Sequence, residues 1–383
     1  MQKYIDDAVA HFKDLLTEQI EREKRMERES GAVDYSKLEK KVIGICPGDG
    51  IGPIISKHSK RVLEVLLADE IKSGKIELKD IEGLTIENRM AQKKAIPDDV
   101  LLNLKKCNVI LKGPTTTLKG GNLESANVAM RRELDLYANV RPVKVEEENI
   151  DWTFFRENTE GEYVLGSKGI EIPDTLSFDF KVTTKSGTKR IARAAFEFAK
   201  NNGKKSVAIV TKANIMKKTD GSFSEIAHEV AKDYPEIKAE DYYIDIMTAN
   251  LINKDIRSNF EVFVLPNLYG DIITDEAAQI QGGVGTAGSA NIGDKYAMFE
   301  AVHGSAPRLI EMGLGDRANP TSLLKASEMM IRHIGLKDKA DILEKALNIC
   351  TVTEKKVIAD GTAENATCGE FADYAISVIK ELI

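Results

Sequence analysis

The chain has 383 residues, 42% hydrophobic and 30% charged, with a formal net charge of -7. That length suits two lobes rather than one small core, and the composition is that of an ordinary soluble globular protein. The acidic balance argues against nucleic acid as a partner, and no apolar run approaches the ~20 residues that span a bilayer, which argues against a membrane.

In chain order, the first predicted element is a helix. Ile5, Val9, Phe12, Leu16 and Ile20 recur at near-helical spacing with charged residues between them. A dense charged stretch from Glu21 to Glu29 follows and ends at Gly31. Residues 1–40 therefore read as an amphipathic helix appended to the main fold and running out into a solvated tail. It either docks on its own lobe or a neighbouring subunit, or binds a dedicated partner. The N-terminus has no short apolar core of a secretory signal, and it is too acidic for a typical transit peptide. The cysteines, Cys46, Cys107, Cys350 and Cys368, lie far apart and form no CxxC pair. They read as buried or incidental thiols in a reducing compartment, and the cytoplasm is the expected location.

The main fold opens with the apolar strand Lys41-Val42-Ile43-Gly44-Ile45, which runs into Pro47-Gly48-Asp49-Gly50-Ile51-Gly52-Pro53 and a helical pattern through Val62, Leu63, Val65 and Leu66. Further strand-like runs are Val109-Ile110-Leu111, Ser206 to Val210 and Val262 to Leu265, with helical stretches such as Ile191 to Ala199 alternating with them. That alternation predicts an α/β architecture with parallel strands. The glycine loop does not have Rossmann spacing, since that fingerprint needs GxGxxG with its third glycine deeper in the helix. A tight turn that brings backbone close to a ligand is what its glycines permit.

Three constellations carry chemistry. In Asn267-Leu268-Tyr269-Gly270-Asp271-Ile272-Ile273-Thr274-Asp275, two aspartates stand four apart at the start of a predicted helix, so their carboxylates share a face. Like charges so placed either hold a hard cation such as magnesium or manganese, or cap a positive helix N-terminus. A third acid, Asp245, is placed at the end of another predicted strand. The second constellation is basic: Arg131 shares a helix face with Asn127, and Arg141 and Arg156 follow. Converging guanidinium groups in an acidic chain would select a small polyanion. The third is His303-Gly304-Ser305-Ala306-Pro307 with Asn319 downstream, a small-residue loop against which a base or ribose can lie.

Together these segments resemble the isocitrate/isopropylmalate dehydrogenase family of β-decarboxylating dehydrogenases. The resemblance runs from about Val42 to the C-terminus, on Pro47 to Pro53, Lys112-Gly113-Pro114, Arg156-Glu157-Asn158-Thr159-Glu160-Gly161-Glu162-Tyr163, Lys212-Ala213-Asn214-Ile215-Met216-Lys217, Asn267 to Asp275 and His303 to Pro307. It implies a large cofactor-binding lobe from residues 41–137 and 282–383. Residues 138–281 would form a smaller lobe with a dimer interface and arm, in a homodimer with shared active sites. It further implies that Asp271 and Asp275, with Asp245 from the other subunit, hold magnesium or manganese. Arg131, Arg141 and Arg156 would grip substrate carboxylates. Tyr163 and Lys212, the latter from the partner subunit, would move protons, and Lys112 would lie beside the nicotinamide. Thr116, the loop His303 to Leu309 and Asn319 would bind the cofactor.

Isopropylmalate enzymes of this family place leucines just before the first arginine, whereas this chain has Ser125 and Asn127, which suit the third carboxylate of isocitrate. Isopropylmalate and homoisocitrate remain the alternative substrates, and a non-catalytic regulatory role in a heteromeric enzyme is a further reading. Arg308 suits the 2′-phosphate of NADP, while Leu309, Thr353 and Val357 match the NAD pattern, so NAD is expected. Glu124 and Ile54 depart from the family pattern.

Overall fold

The computed structural model describes residues 2–28, 31–117, 123–166, 168–283 and 287–383. The chain divides into two compact units, one of Met1–Gly31 with Tyr137–Ile280, the other of Ala32–Leu136 with Gln281–Ile383. The architecture is α/β and rich in parallel strands, as the alternation of strands and helices predicts.

In the unit that holds both the early and the C-terminal segments, the strand order is Ile76–Asp80, Lys41–Cys46, Val109–Lys112, Ala297–Ala301 and Gly288–Ile292. The first four run parallel, and Gly288–Ile292 pairs antiparallel with Ala297–Ala301. All four residues of Val109–Lys112 are buried. A parallel strand covered on both faces reads as a continuous apolar run, which is why this one is visible in the sequence. The glycine turn is held by backbone contact. Gly48 and Gly50 have positive φ values of 72° and 58°. A Cβ on Gly50 would stand 2.0 Å from the Ser305 carbonyl oxygen, and one on Gly48 2.2 Å from that of Pro114. Only glycine allows these three loops to meet.

In the other unit the order is Ala138–Val145, Ile150–Glu157, Val262–Leu265, Ser206–Thr211 and Lys238–Tyr243. Ala138–Val145 is antiparallel to its neighbour and the rest are parallel. Trp152 is fully buried against Phe154 and Phe263, and its indole N–H donates to the Arg257 carbonyl at 3.0 Å. The helix Lys185–Asn201 buries Ile191, Ala192, Ala195, Phe196 and Ala199, a stripe of helical period, and Thr184 caps its start. A small hairpin, Ile170–Ile172 with Leu176–Phe178, stands apart from the main strands.

The N-terminal helix forms, over Gln2–Arg28. Its docking differs from the expected pattern. Ile5, Val9, Phe12, Leu16 and Ile20 are all exposed, while Leu15 and Gln19 are buried. Nor does the charged end run out as a solvated tail: Arg22 pairs with Glu160 at 3.1 Å, and the Ser186 N–H donates to Glu23 at 3.0 Å. Leu15 and the polar anchors hold the face docked on this chain, where Phe12 also meets the Phe180 ring at 5.5 Å, while the rest of the apolar row faces outward. Glu29 lies outside the described residues. All four cysteines are buried and free. No described helix is long and apolar enough to cross a membrane.

Candidate active site

Within the unit built on the middle of the chain, the parallel strand Val262–Leu265 leads into the helix Asn267–Ile280. Its first three turns carry Asn267, Asp271, Thr274 and Asp275. On the neighbouring antiparallel pair, Asn139 stands opposite Arg156 and Arg141 stands two residues further along, on the same face. Arg156 is fully buried. Its Nε and Nη2 donate to Asn267 Oδ1 at 2.8 and 2.6 Å, and its Nη1 donates to Asp271. Gly270 makes room, because a Cβ there would meet Arg156 Cγ at 2.6 Å. The Tyr163 hydroxyl donates to Asp271 Oδ2 at 2.7 Å. Arg141 donates to Thr274 Oγ1 at 2.6 Å and Asp275 Oδ1 at 3.0 Å, and lies 3.7 Å from Asp271 Oδ1.

The structure thus brings Tyr163, Arg141, Arg156, Asp271 and Asp275 into one cluster. The two carboxylates lie one helical turn apart and are bridged by a guanidinium, so the pair is already arranged around positive charge. Their hard oxygens fit magnesium or manganese, with Asp275 mostly exposed. Among the described residues of one chain, no three acidic, histidine or cysteine side chains gather as a metal cluster. Asp245 stands elsewhere, with its carboxylate 2.6 Å from Lys212 Nζ. That hydrogen bond, ahead of other causes, lowers the Asp245 pKa. Asp245 is also not at a strand end: the strand stops at Tyr243, and Asp245 opens the helix Ile244–Ile252. Met247 and Leu251, four apart, are the buried residues that set its helical period.

The other unit holds the remaining predicted residues. Lys112 is fully buried and donates to Glu300 Oε2 at 3.0 Å and to the Gly113 carbonyl at 2.9 Å. Glu300 also takes Arg131 at 3.4 Å and Asn291 Nδ2 at 2.8 Å. Burial would raise the Glu300 carboxyl, but Lys112 and Arg131 outweigh it and hold the pKa down at about 2. Sequence reading misses Glu300, although an acid inside the apolar strand Ala297–Ala301 is the available signal. Among the described residues, Arg131 Nε is buried without an acceptor, as is Arg141 Nε in its own unit. Both fit the role of awaiting an anion.

Ser125 opens the helix Ala126–Glu133, and Asn127 accepts from Thr115 Oγ1 at 2.9 Å. Glu124, which departs from the family pattern, is anchored through both side chain and backbone. Its carboxylate pairs with Arg132, and its carbonyl accepts from the buried Arg89 at 3.0 Å. Arg89 also donates to the carbonyls of Thr116 at 2.9 Å and Ala95 at 2.8 Å, tying these segments down.

The Thr116 N–H donates to Asp49 Oδ2 at 2.7 Å, and its hydroxyl meets Ser305 Oγ at 2.9 Å. His303 is lowered in pKa by burial, and its Nδ1 lies 2.9 Å from the Gly304 carbonyl. With Nδ1 as donor, Nε2 is a buried acceptor without a partner among the described residues. Gly304 is exposed, and a Cβ there would meet nothing. Ala306 adopts a left-handed φ of 46° just before Pro307. A small-residue loop with an unused acceptor fits an adenine or ribose. Arg308 is exposed, and Leu309 lies against Gly361. Asn319 does not point to a ligand as clearly, since its carboxamide oxygen accepts from Thr321 N–H at 2.9 Å.

Residues 42–375, which hold every one of these groups, match the isocitrate/isopropylmalate dehydrogenase family. The chain belongs to that family. It is therefore a member of the decarboxylating dehydrogenases. The chain is 40% identical over 362 residues to isocitrate dehydrogenase (NADP) of Rickettsia prowazekii, an alignment covering 89% of this chain and 69% of that protein. It is 38% identical over 355 residues to a mitochondrial NAD isocitrate dehydrogenase regulatory subunit of Dictyostelium discoideum, covering 90% of this chain and 93% of that one. The solved isocitrate dehydrogenase of Methylococcus capsulatus aligns with a TM-score of 0.78 at 33% identity, over 89% of this chain and 99% of that one.

Proposed function

We propose that the protein catalyses metal-dependent oxidative decarboxylation of isocitrate to 2-oxoglutarate and carbon dioxide, with reduction of NAD. The observation that carries this reading is the Arg141–Arg156–Tyr163–Asp271–Asp275 cluster, in which a proton donor, anion-binding cations and a carboxylate pair converge. Asp271 and Asp275, completed by Asp245 of a second subunit in a homodimer, would hold magnesium or manganese. A divalent cation there stabilises negative charge developing on the substrate's oxygens. The nicotinamide supplies the hydride acceptor.

The chain's own residues do the rest. Arg131, Arg141 and Arg156 bind carboxylates and fix the substrate's orientation, with Lys112 and Glu300 supporting Arg131 from beneath. Ser125 and Asn127 hydrogen-bond the third carboxylate, a pairing that an isopropyl arm would leave unmade. Lys212, poised by Asp245, holds the proton that leaves the 2-hydroxyl. Tyr163 returns a proton to carbon after carbon dioxide departs. Leu309, Thr353 and Val357 support NAD, whereas Arg308 is the group that would favour NADP. Relatives of both cofactor types occur. The expected location is the cytoplasm.

The name of the Dictyostelium relative makes a regulatory role the second reading. Retention of Tyr163, Lys212, Asp245, Asp271 and Asp275 supports catalysis instead. Asp271→Asn tests the assignment. It should reduce manganese affinity measured by calorimetry and lower turnover by about 100-fold or more. Unchanged manganese binding in a folded variant would show that the ion sits elsewhere.

A further inference from the structure

One buried cation has no part in the reaction as described. The Lys181 side chain is 6% exposed. Its Nζ lies 2.6 Å from Asp220 Oδ1, 3.4 Å from Glu162 Oε1 and 4.2 Å from the centroid of the Tyr269 ring. Each of these neighbours borders a different group of the proposed site. Asp220 is fully buried, and its second oxygen accepts the backbone N–H of Lys212 at 2.7 Å. Glu162 directly precedes Tyr163. Tyr269 lies in the first turn of the helix that carries Asp271 and Asp275.

The backbone repeats the linkage. Gly161 N–H donates to the Val182 carbonyl at 2.9 Å, and Val182 N–H returns the bond to Gly161 at 3.1 Å. Burial opposes charge on Lys181, but Asp220 and then Glu162 outweigh it and raise its pKa, so the ammonium persists at neutral pH. Three segments distant in sequence thus converge on one ammonium. An aliphatic side chain would fill the same space and hold none of them, because it offers no charge and no donor.

We propose that Lys181 is a positioning residue that sets Tyr163, Lys212 and the Asp271–Asp275 helix in register with one another. This rests on the functional reading above. Under that reading Tyr163 serves its own subunit's site while Lys212 serves the partner's, so a single lysine mechanically links the two active sites of the dimer.

Amide hydrogen exchange on the full chain tests this without relying on turnover, with steady-state kinetics alongside. In Lys181→Met, exchange should quicken by about tenfold or more at the segments containing Gly161, Lys212 and Gly270 together, with Val262–Leu265 unchanged. Lys181→Arg should restore most of the protection. In the kinetics, Lys181→Met should lower kcat by on the order of 10- to 100-fold. The isocitrate KM should move by a smaller factor than kcat, because no described contact joins Lys181 directly to Arg141 or Arg156.

Uniform loosening of the whole unit, or loosening at one segment alone, overturns the proposal. If Lys181→Met does not fold, Tyr269→Leu removes the ring contact and keeps the Asp220 pair. It should loosen the Gly270 segment and lower kcat, and failure to do either counts against the linkage. The three-segment pattern in a chain that oxidises no 2-hydroxy acid would sink the functional reading while supporting the linkage.

Discussion

Glu157 ends a buried strand with its carboxyl folded back on the next turn. It accepts from the Thr159 N–H at 2.9 Å, the Thr159 hydroxyl at 2.7 Å and the Glu160 N–H at 2.6 Å. Burial, and then the neighbouring Glu160, push its pKa up from 4.5 to about 7. In the unfolded chain the same carboxyl ionises first, so the native state binds the extra proton. Stability from this group is full below about pH 4.5 and is lost as pH rises to about 7, after which the curve flattens. Glu157→Gln should flatten this part of a melting-temperature profile, and an unaltered slope would mean that another group titrates. Glu300 has the opposite sign, since its depressed pKa contributes stability that is present above about pH 4.5 and is lost as pH falls from there through about 2. At the substrate end, Ser125→Leu should weaken isocitrate use by about 100-fold while leaving cofactor affinity near wild type. Equal loss of both would refute the pocket assignment.

At the scale of elements, the N-terminal helix is more than an appendage. Arg22 reaches the buried Glu160, whose carboxylate also accepts the Thr184 N–H at 2.9 Å at the start of the helix Lys185–Asn201. As a helix appended outside the resemblance, residues 1–40 carry none of the expected site residues. The ion pair adds a stability cost, because removing Arg22 takes away the cation paired with the buried Glu160, three residues from Tyr163. Arg22→Ala should therefore cost about 3 kcal/mol in a denaturant titration. A change under about 0.5 kcal/mol would make the pair dispensable. The strands at Val109, Ser206 and Val262 are legible in the sequence because burial on both faces leaves an unbroken apolar run. Asp245 is misplaced by the same reasoning, because Ile244-Asp245-Ile246 alternates like a strand while Met247 and Leu251 follow the helix. The docked face of the N-terminal helix stays hidden because Arg22 and Glu23 help to hold it, and long-range ion pairs leave no local period in sequence. The pairing of Lys112 with Glu300, and of Lys181 with Asp220, is invisible there for the same reason.

At the scale of the whole molecule, two units each present part of the chemistry. One carries Lys112, Arg131, Asn127 and the His303 loop, and the other carries the Arg156–Asp271–Tyr163 cluster and the Lys212–Asp245 pair. Family membership spanning both units agrees with a single reaction for all of them. The most direct measurement is reduced-cofactor production by the purified chain alone, with magnesium or manganese. Isocitrate, isopropylmalate and homoisocitrate would each be offered with NAD and with NADP. The expected result is turnover of isocitrate, faster with NAD. No turnover of any of the three by folded, metal-loaded protein would contradict the catalytic assignment and bring the regulatory reading forward.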